Sequence, residues 1–407
     1  MRRSLQFGVL VASALVVIAA CGSKTGDTGS AGGTNPAPSS AATTSAPPAV
    51  VSPSLLDVGN YPTVPFPPLG TAGTPEAGAV ADAQQMVNFV VGPWEIDESV
   101  INPYLDSFYV IDTVTALLQL GPETVASAAG RHGFINGFAT ERQATDKIVL
   151  VNAVLRFADP AAAAAASTDM GDAAAKFPIA GVTPTVVAIS GHPDSVASTY
   201  PFTPHGTDQV RATIRSFTPH GPYVLMQFVQ TVDGVDHAAS LVAKTIDAQG
   251  PSIDQFKAAD EGALAAVPLD PTGLLAKVLP TIKGATAKNA VYDIRGAAHF
   301  QTDPIASTKL FKDNGVSEIA MAKTNVYQAK DEAGARAVTD SFGMEVTAEG
   351  TKPADPVPAL PNSHCMGFPK GFYCVAPAGR YAIEARGEQL KDVQQQIAAQ
   401  YVILTAH

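Results

Sequence analysis

The sequence predicts an α+β protein of two tandem domains, each an antiparallel sheet covered by helices. Three observations lead there. Apolar β-rich runs alternate with alanine-rich segments that open on helix caps. One order of elements (strand, helix, strand, tight turn, strand, helix) is found twice in diverged form. Between the copies, Pro268 to Pro280 is dense in proline and turn residues, which marks a join.

In "TPEAGAVADAQQMVNFVV", Thr74 is placed to cap a helix and Pro75 takes its first position. Val80, Ala83, Val87 and Val90 share one face of it. A second helix falls within "IDTVTALLQLGPETVASAAG", broken near Gly121-Pro122. "KIVLVNAVLRF" is β-rich and largely apolar, the pattern of a well-covered strand. It runs into an alanine-rich helix with Asp159 as cap and Pro160 at its first position. "EIAMAKTNVYQAK" reads as a strand leading to Asp331 as cap of a second alanine-rich helix. Each copy then closes on strand, turn, strand and helix, with Asp159 matching Asp331 and Gly221 matching Gly379. Helices that follow antiparallel hairpins belong on one sheet face, and the ferredoxin-like arrangement is the natural version.

The N-terminus sets the compartment. Arg2 and Arg3 precede an apolar run from Phe7 to Ala20, an n-region and an h-region too short to span a membrane comfortably. Small residues then lead into Cys21, and "VIAAC" resembles a bacterial lipobox. That resemblance implies cleavage before Cys21 and a lipid on its thiol. Gly22 to Val51 is Gly, Ser, Thr, Ala and Pro with almost no large apolar residue, a tether that cannot bury enough surface to order itself. The expected organisation is a leader over 1–20, lipidated Cys21 and tether over 21–55, and domains over 56–275 and 276–407.

The formal charge is −11, and losing Arg2 and Arg3 with the leader makes it −13. No basic patch of the kind nucleic acid needs is present, and attraction to anionic lipid is not expected, so membrane contact rests on the acyl chains. After Cys21 only Cys365 and Cys374 remain, in "CMGFPKGFYC". An even pair in an exported chain reads as a disulfide, with Gly367, Pro369 and Gly371 turning the segment back. The competing reading, a redox or zinc pair, lacks CxxC spacing and has only His364 adjacent.

"FTPHG" occurs at Phe202–Gly206 and at Phe217–Gly221. The segment between them, "DQVRATIRSF", alternates as a half-buried strand, with Val210, Ala212 and Ile214 against Arg211, Thr213 and Arg215. The second copy is then a hairpin turn, and His205 and His220 stand at opposite ends of a strand about 30 Å long, too far apart for one metal. "SGHPDS" gathers His192, Asp194 and Ser195 without a nucleophile elbow and reads as a polar turn. "RHGF" at Arg131–Phe134 reads as a strand entry, and Asp97/Glu98 and Asp331/Glu332 as charges at helix starts. Trp94, the single tryptophan, is a core residue or a ligand wall. With no HExxH, EF-hand loop, P-loop or GxGxxG after a strand, no metal, cofactor or catalytic residue is assigned.

The lipobox, the tether, "LDVGNYPTVP" at Leu56–Pro65, "WEID" at Trp94–Asp97, "LDPTGLLAKVLP" at Leu269–Pro280 and the late cysteine pair together resemble a family of actinobacterial surface lipoproteins of mycobacterial and nocardial type, of unknown function. The resemblance implies a cell-envelope location and two tandem domains, and carries over no catalytic residue. Three functional classes remain: a tethered binding module for an envelope component or partner protein, an envelope hydrolase with a dispersed site, and a carrier of an apolar ligand. The long tether, and the groove that duplication creates, favour the first.

Overall fold

A computed structural model describes residues 51–281, 287–348 and 350–406. The leader, Cys21 and the tether up to residue 50 lie outside them. In the first half, helix α1 (Pro75–Met86) is capped as its sequence predicts, with Thr74 Oγ1 accepting from Ala77 N at 3.2 Å. Ala83, Val87 and Val90 are fully buried beneath it. A short helix α2 (Pro93–Ile96) leads to strand β1 (Asn102–Ile111). A 3-10 turn and helix α3 (Glu123–Arg131) are broken at Gly121-Pro122 as expected. Strands β2 (Phe134–Ala144) and β3 (Ile148–Phe157) precede helix α4 (Pro160–Lys176), capped by Asp159. Four strands follow, β4 (Thr185–Val186), β5 (Val196–Phe202), β6 (Arg211–His220) and β7 (Tyr223–Thr231), then helix α5 (Val235–Ile253).

The second half runs β8 (Ala290–Tyr292), α6 (Ile294–Ala298), α7 (Pro304–Asp313), β9 (Glu318–Met321), β10 (Thr324–Gln328) and α8 (Glu332–Ala348). It closes with β11 (Lys352–Ala354), β12 (His364–Phe368), β13 (Gly371–Ala378), β14 (Tyr381–Gly387) and α9 (Leu390–Thr405).

Each half builds one seven-stranded antiparallel sheet, and the two share one order. It is β1-β2-β3-β7-β6-β5-β4 in the first and β8-β9-β10-β14-β13-β12-β11 in the second. A helix separates the third strand from the fourth, and another follows the seventh. The matched turn glycines fall where the alignment of the copies put them: Gly221 joins β6 to β7 and Gly379 joins β13 to β14, at φ +52° and +56°, the left-handed region that glycine adopts without strain. A buried glutamine repeats as well. Gln249 of α5 takes a hydrogen bond from Val91 N at 2.8 Å and donates to Phe89 O at 2.9 Å. Gln400 of α9 takes one from Leu279 N at 2.9 Å and donates to Lys277 O at 2.6 Å. Each glutamine oxygen also accepts from the third strand of its own sheet, from Asn152 in one half and Thr324 in the other.

The four-stranded ferredoxin-like arrangement does not appear in this order, and helices cover both faces of each sheet rather than one. Val151, Ala153 and Leu155 pack toward α3 and α4, while Leu150 and Val154 pack toward α1 and α5. That is why all ten residues of β3 are buried. In the second sheet α8 covers Tyr373 and Val375, and α9 covers Cys374 and Ala376. The largest core runs from the α5 face of the first sheet to the α8 face of the second, so the halves share a hydrophobic seam. All described residues belong to one compact unit.

Local readings needed three further corrections. "EIAMAKTNVYQ" is a hairpin of β9 and β10, not one strand. In β6 both faces are covered: Arg211 and Thr213 are buried, and Val210 lies outside the strand, 60% exposed. Asp97 ends α2 instead of starting a helix. The chain before α1 also belongs elsewhere than expected, because residues 56–66 dock on the second half. Leu56 joins the α9 core, Tyr61 OH donates to Asp392 at 2.6 Å, and Phe66 N donates to Ala276 O at 2.7 Å.

Cys365 and Cys374 are bonded across directly paired positions of β12 and β13, with Cα atoms 4.1 Å apart. The bond ties a hairpin that is already closed by a two-residue turn. Replacing both cysteines with alanine should lower stability by roughly 2–3 kcal/mol. A urea midpoint that does not move would show that the strand pairing alone holds this hairpin.

Candidate ligand cleft between the halves

One buried cation spans the seam. Arg142 of β2 is 1% exposed, yet its guanidinium crosses into the second half. Nη2 donates to His299 O and Gln301 O, both at 2.8 Å, and Nη1 donates to Ile101 O at 3.1 Å. Burial pulls it down to about 10, which leaves it a cation at neutral pH. His299 is fully buried beside it. Its Nε2–H donates to Val90 O at 3.1 Å, and Nδ1 accepts from the Thr140 hydroxyl at 3.0 Å. Burial depresses this imidazole to about 3, so it is neutral and structural. Trp94 and Phe138 pack edge-on to its ring, at 5.1 and 5.2 Å.

Holding residues 299–302 in place opens a cavity on each side. On one side, Phe300 meets Phe108 of β1 edge to face at 4.6 Å. Beyond this pair lies a pocket of about 260 Å³ whose far wall is the α8 face of the second sheet. Strand pleating puts Asn325 and Tyr327 of β10, Tyr373 of β13, and Glu384 and Arg386 of β14 on that face. Glu384 is held by three neutral donors: Asn325 Nδ2 at 2.6 Å, Tyr327 OH at 2.7 Å and Tyr373 OH at 2.9 Å. Burial beside this carboxylate pushes both tyrosines well above their usual range, which keeps them protonated and donating. Lys288 Nζ donates to Asn325 Oδ1 at 2.9 Å, and burial pulls its ammonium below the ordinary lysine value against the opposing field of Glu384. Phe342, Met321 and Val346 complete an apolar side.

On the other side, a more open cleft of about 660 Å³ runs along Trp94, Ile294, Ala298 and Ile305. Three of its charged groups are already engaged. Arg295 is bidentate to Glu95 at 3.1 and 2.9 Å, and Asp293 caps α6 by accepting from Gly296 N at 2.8 Å. Trp94 is therefore both of the things its sequence context allowed, 6% exposed in the core and a wall of a cleft.

Family models for the N-terminal and C-terminal domains of DUF7373, domains of unknown function, match residues 69–269 and 274–407. The chain belongs to the DUF7373 family. Its two domain models meet inside the proline-dense stretch read as a join. No curated protein matches the sequence. Among solved structures, the extracellular domain of PknH from Mycobacterium tuberculosis is similar at 12% identity and a TM-score of 0.27, over 39% of this chain and 91% of that one.

The other residues singled out from the DUF7373 sequence are not brought together. His205 lies in the loop before β6, and His220 closes that strand with Nε2 2.7 Å from Asp254. His192 faces Asp247 at 3.1 Å, while the Ser195 hydroxyl pairs with Thr218 at 2.5 Å, so "SGHPDS" forms no relay. Arg131 and His132 both reach Asp169, at 3.3 and 2.7 Å, and tie α3 to α4. Among the described residues, no group of three or more His, Cys, Asp or Glu side chains is placed to hold a metal. No described helix is long and apolar enough to cross a membrane.

Proposed function

We infer that this DUF7373 protein is a lipid-tethered, extracytoplasmic binding protein of an actinobacterial cell envelope, with its ligand seated between the halves. The observation that carries the reading is the pocket at the seam. It combines an aromatic wall with a polar network of Asn325, Tyr327 and Tyr373 around Glu384, the composition of a binding site. Buried polar networks cost stability unless satisfied, so one laid along an otherwise apolar core face asks for a use. The tether and lipobox support the location. Residues 56–66, which follow the tether in sequence, attach to the second half.

Cys21→Ala should move the protein from the detergent phase to the aqueous phase, and an unchanged partition removes the lipid anchor from the reading. The hydrolase alternative is tested by a screen with envelope ester, glycan and peptide substrates. Turnover abolished by one Ser, Asp, Glu or His substitution in a folded protein replaces binding with catalysis.

A further inference from the structure

We propose that the seam pocket takes a small organic acid: one anionic head, carboxylate or phosphate, on a compact apolar or aromatic body. The inference deepens the binding reading and names the chemistry of its site. It starts from a count of donors and acceptors. Glu384 is the carboxylate on the pocket's polar wall, and it already accepts from Asn325, Tyr327 and Tyr373. A carboxylate has about four lone-pair positions, so little acceptor capacity is left for the cations. Glu345 at the rim is already engaged.

The donors are in surplus. Among the described residues, Lys288 spends one N–H on Asn325 and keeps the other two. Arg386 is exposed, and it has no hydrogen-bond acceptor among the described residues. Its guanidinium lies over rings instead, with Cζ 5.0 Å from the Tyr373 centroid and 5.8 Å from that of Phe368. Stacking fixes the plane of the fork and leaves its N–H groups to an incoming oxyanion, the geometry in which arginine binds carboxylate or phosphate in two bonds. Two cations, half-buried Lys288 and exposed Arg386, thus keep donors for a ligand in a pocket whose own carboxylate is used up.

The opposite side excludes a bare inorganic anion as the natural occupant. Phe108, Phe300 and Phe342 with Met321 and Val346 form an apolar half that only a hydrocarbon or ring can cover. Space limits the body. About 260 Å³ holds on the order of ten heavy atoms, a single ring with a short acid chain, and not a diacyl lipid.

The test titrates the intact protein with 3-phenylpropionate and, separately, with its neutral amide. The acid should bind at or below about 1 mM, and the amide at least about tenfold more weakly. Lys288→Met and Arg386→Gln should each weaken the acid by about tenfold or more and leave the amide unchanged. Lys312→Met, in the other cleft, should change neither. Equal affinity for acid and amide overturns the proposal, as does acid binding that survives the Lys288→Met/Arg386→Gln double variant, or no binding at about 10 mM acid. Such a result removes the pocket's chemistry and leaves the tethered-binding reading standing, because that reading is tested by phase partition and substrate screening.

Discussion

Arg142→Met is expected to lower stability by about 3 kcal/mol, measured as a urea unfolding free energy at pH 7. The methionine keeps much of the volume but donates nothing. The carbonyls of Ile101, His299 and Gln301 then lose their partner, the one at His299 in the buried core and the other two at its partly exposed edge. Each orphaned carbonyl costs about 1–3 kcal/mol, and the sum is offset because a guanidinium no longer has to be desolvated. Arg142→Lys keeps the charge with fewer, unforked donors, and should recover about half of the loss. Because residues 299–302 carry Phe300 and Gln301 to the pocket, Arg142→Met should also weaken the binding of 3-phenylpropionate, while Arg142→Lys weakens it less. A loss below about 0.5 kcal/mol would mean that aromatic packing around Phe300, and not the arginine, holds the seam.

How much of this was legible in the sequence depends on how local each signal is. Thr74, Asp159 and Asp331 cap the helices they precede, since capping is decided within four residues. The duplication shows through its turns for the same reason: Gly221 and Gly379 must both adopt positive φ. The coverage of the sheets did not show. Alternation in "DQVRATIRSF" promised one wet face, but α3, α4 and the 3-10 turn beside them bury the face that carries Arg211 and Thr213. The pocket was hidden by the same ambiguity. In "YAIEARG" the pattern of Ala382, Glu384 and Arg386 against Ile383 and Ala385 reads as an ordinary amphipathic strand. Helices α8 and α9 flank that strand, so Glu384 on its charged face is half-buried against the seam while Arg386 stays exposed. Asn325 and Tyr327 repeat the pattern in β10. Charged or polar alternation in strands that helices flank on both sides was the available signal. It becomes readable only once the sheet is known to have two covered faces.

Glu141→Gln is expected to stabilise the protein by on the order of 3 kcal/mol at pH 9 and by almost nothing at pH 4.5. Glu141 of β2 is 2% exposed, its Oε2 has no hydrogen-bond partner among the described residues, and Asp106 adds a like charge nearby. Burial first and Asp106 second push its carboxyl up to about 8, from 4.5. The folded protein therefore binds this proton more tightly than the unfolded chain. Its contribution is intact below pH 4.5, falls as pH rises, and is lost above about 8. His299 acts with the opposite sign. Depressed to about 3 from 6.5, it contributes fully above pH 6.5 and loses its contribution as pH falls toward 3. The two slopes oppose each other between pH 4.5 and 6.5, so the wild-type protein should be most stable there and weaken on either side. Removing the Glu141 charge removes only the alkaline slope. In Glu141→Gln, stability should climb to pH 6.5 and then stay level to pH 9. Urea midpoints at pH 4.5, 6.5 and 9 read both curves. A variant-minus-wild-type difference that is the same at pH 4.5 and pH 9 would show that Glu141 finds water or a cation in the folded state and carries no buried charge.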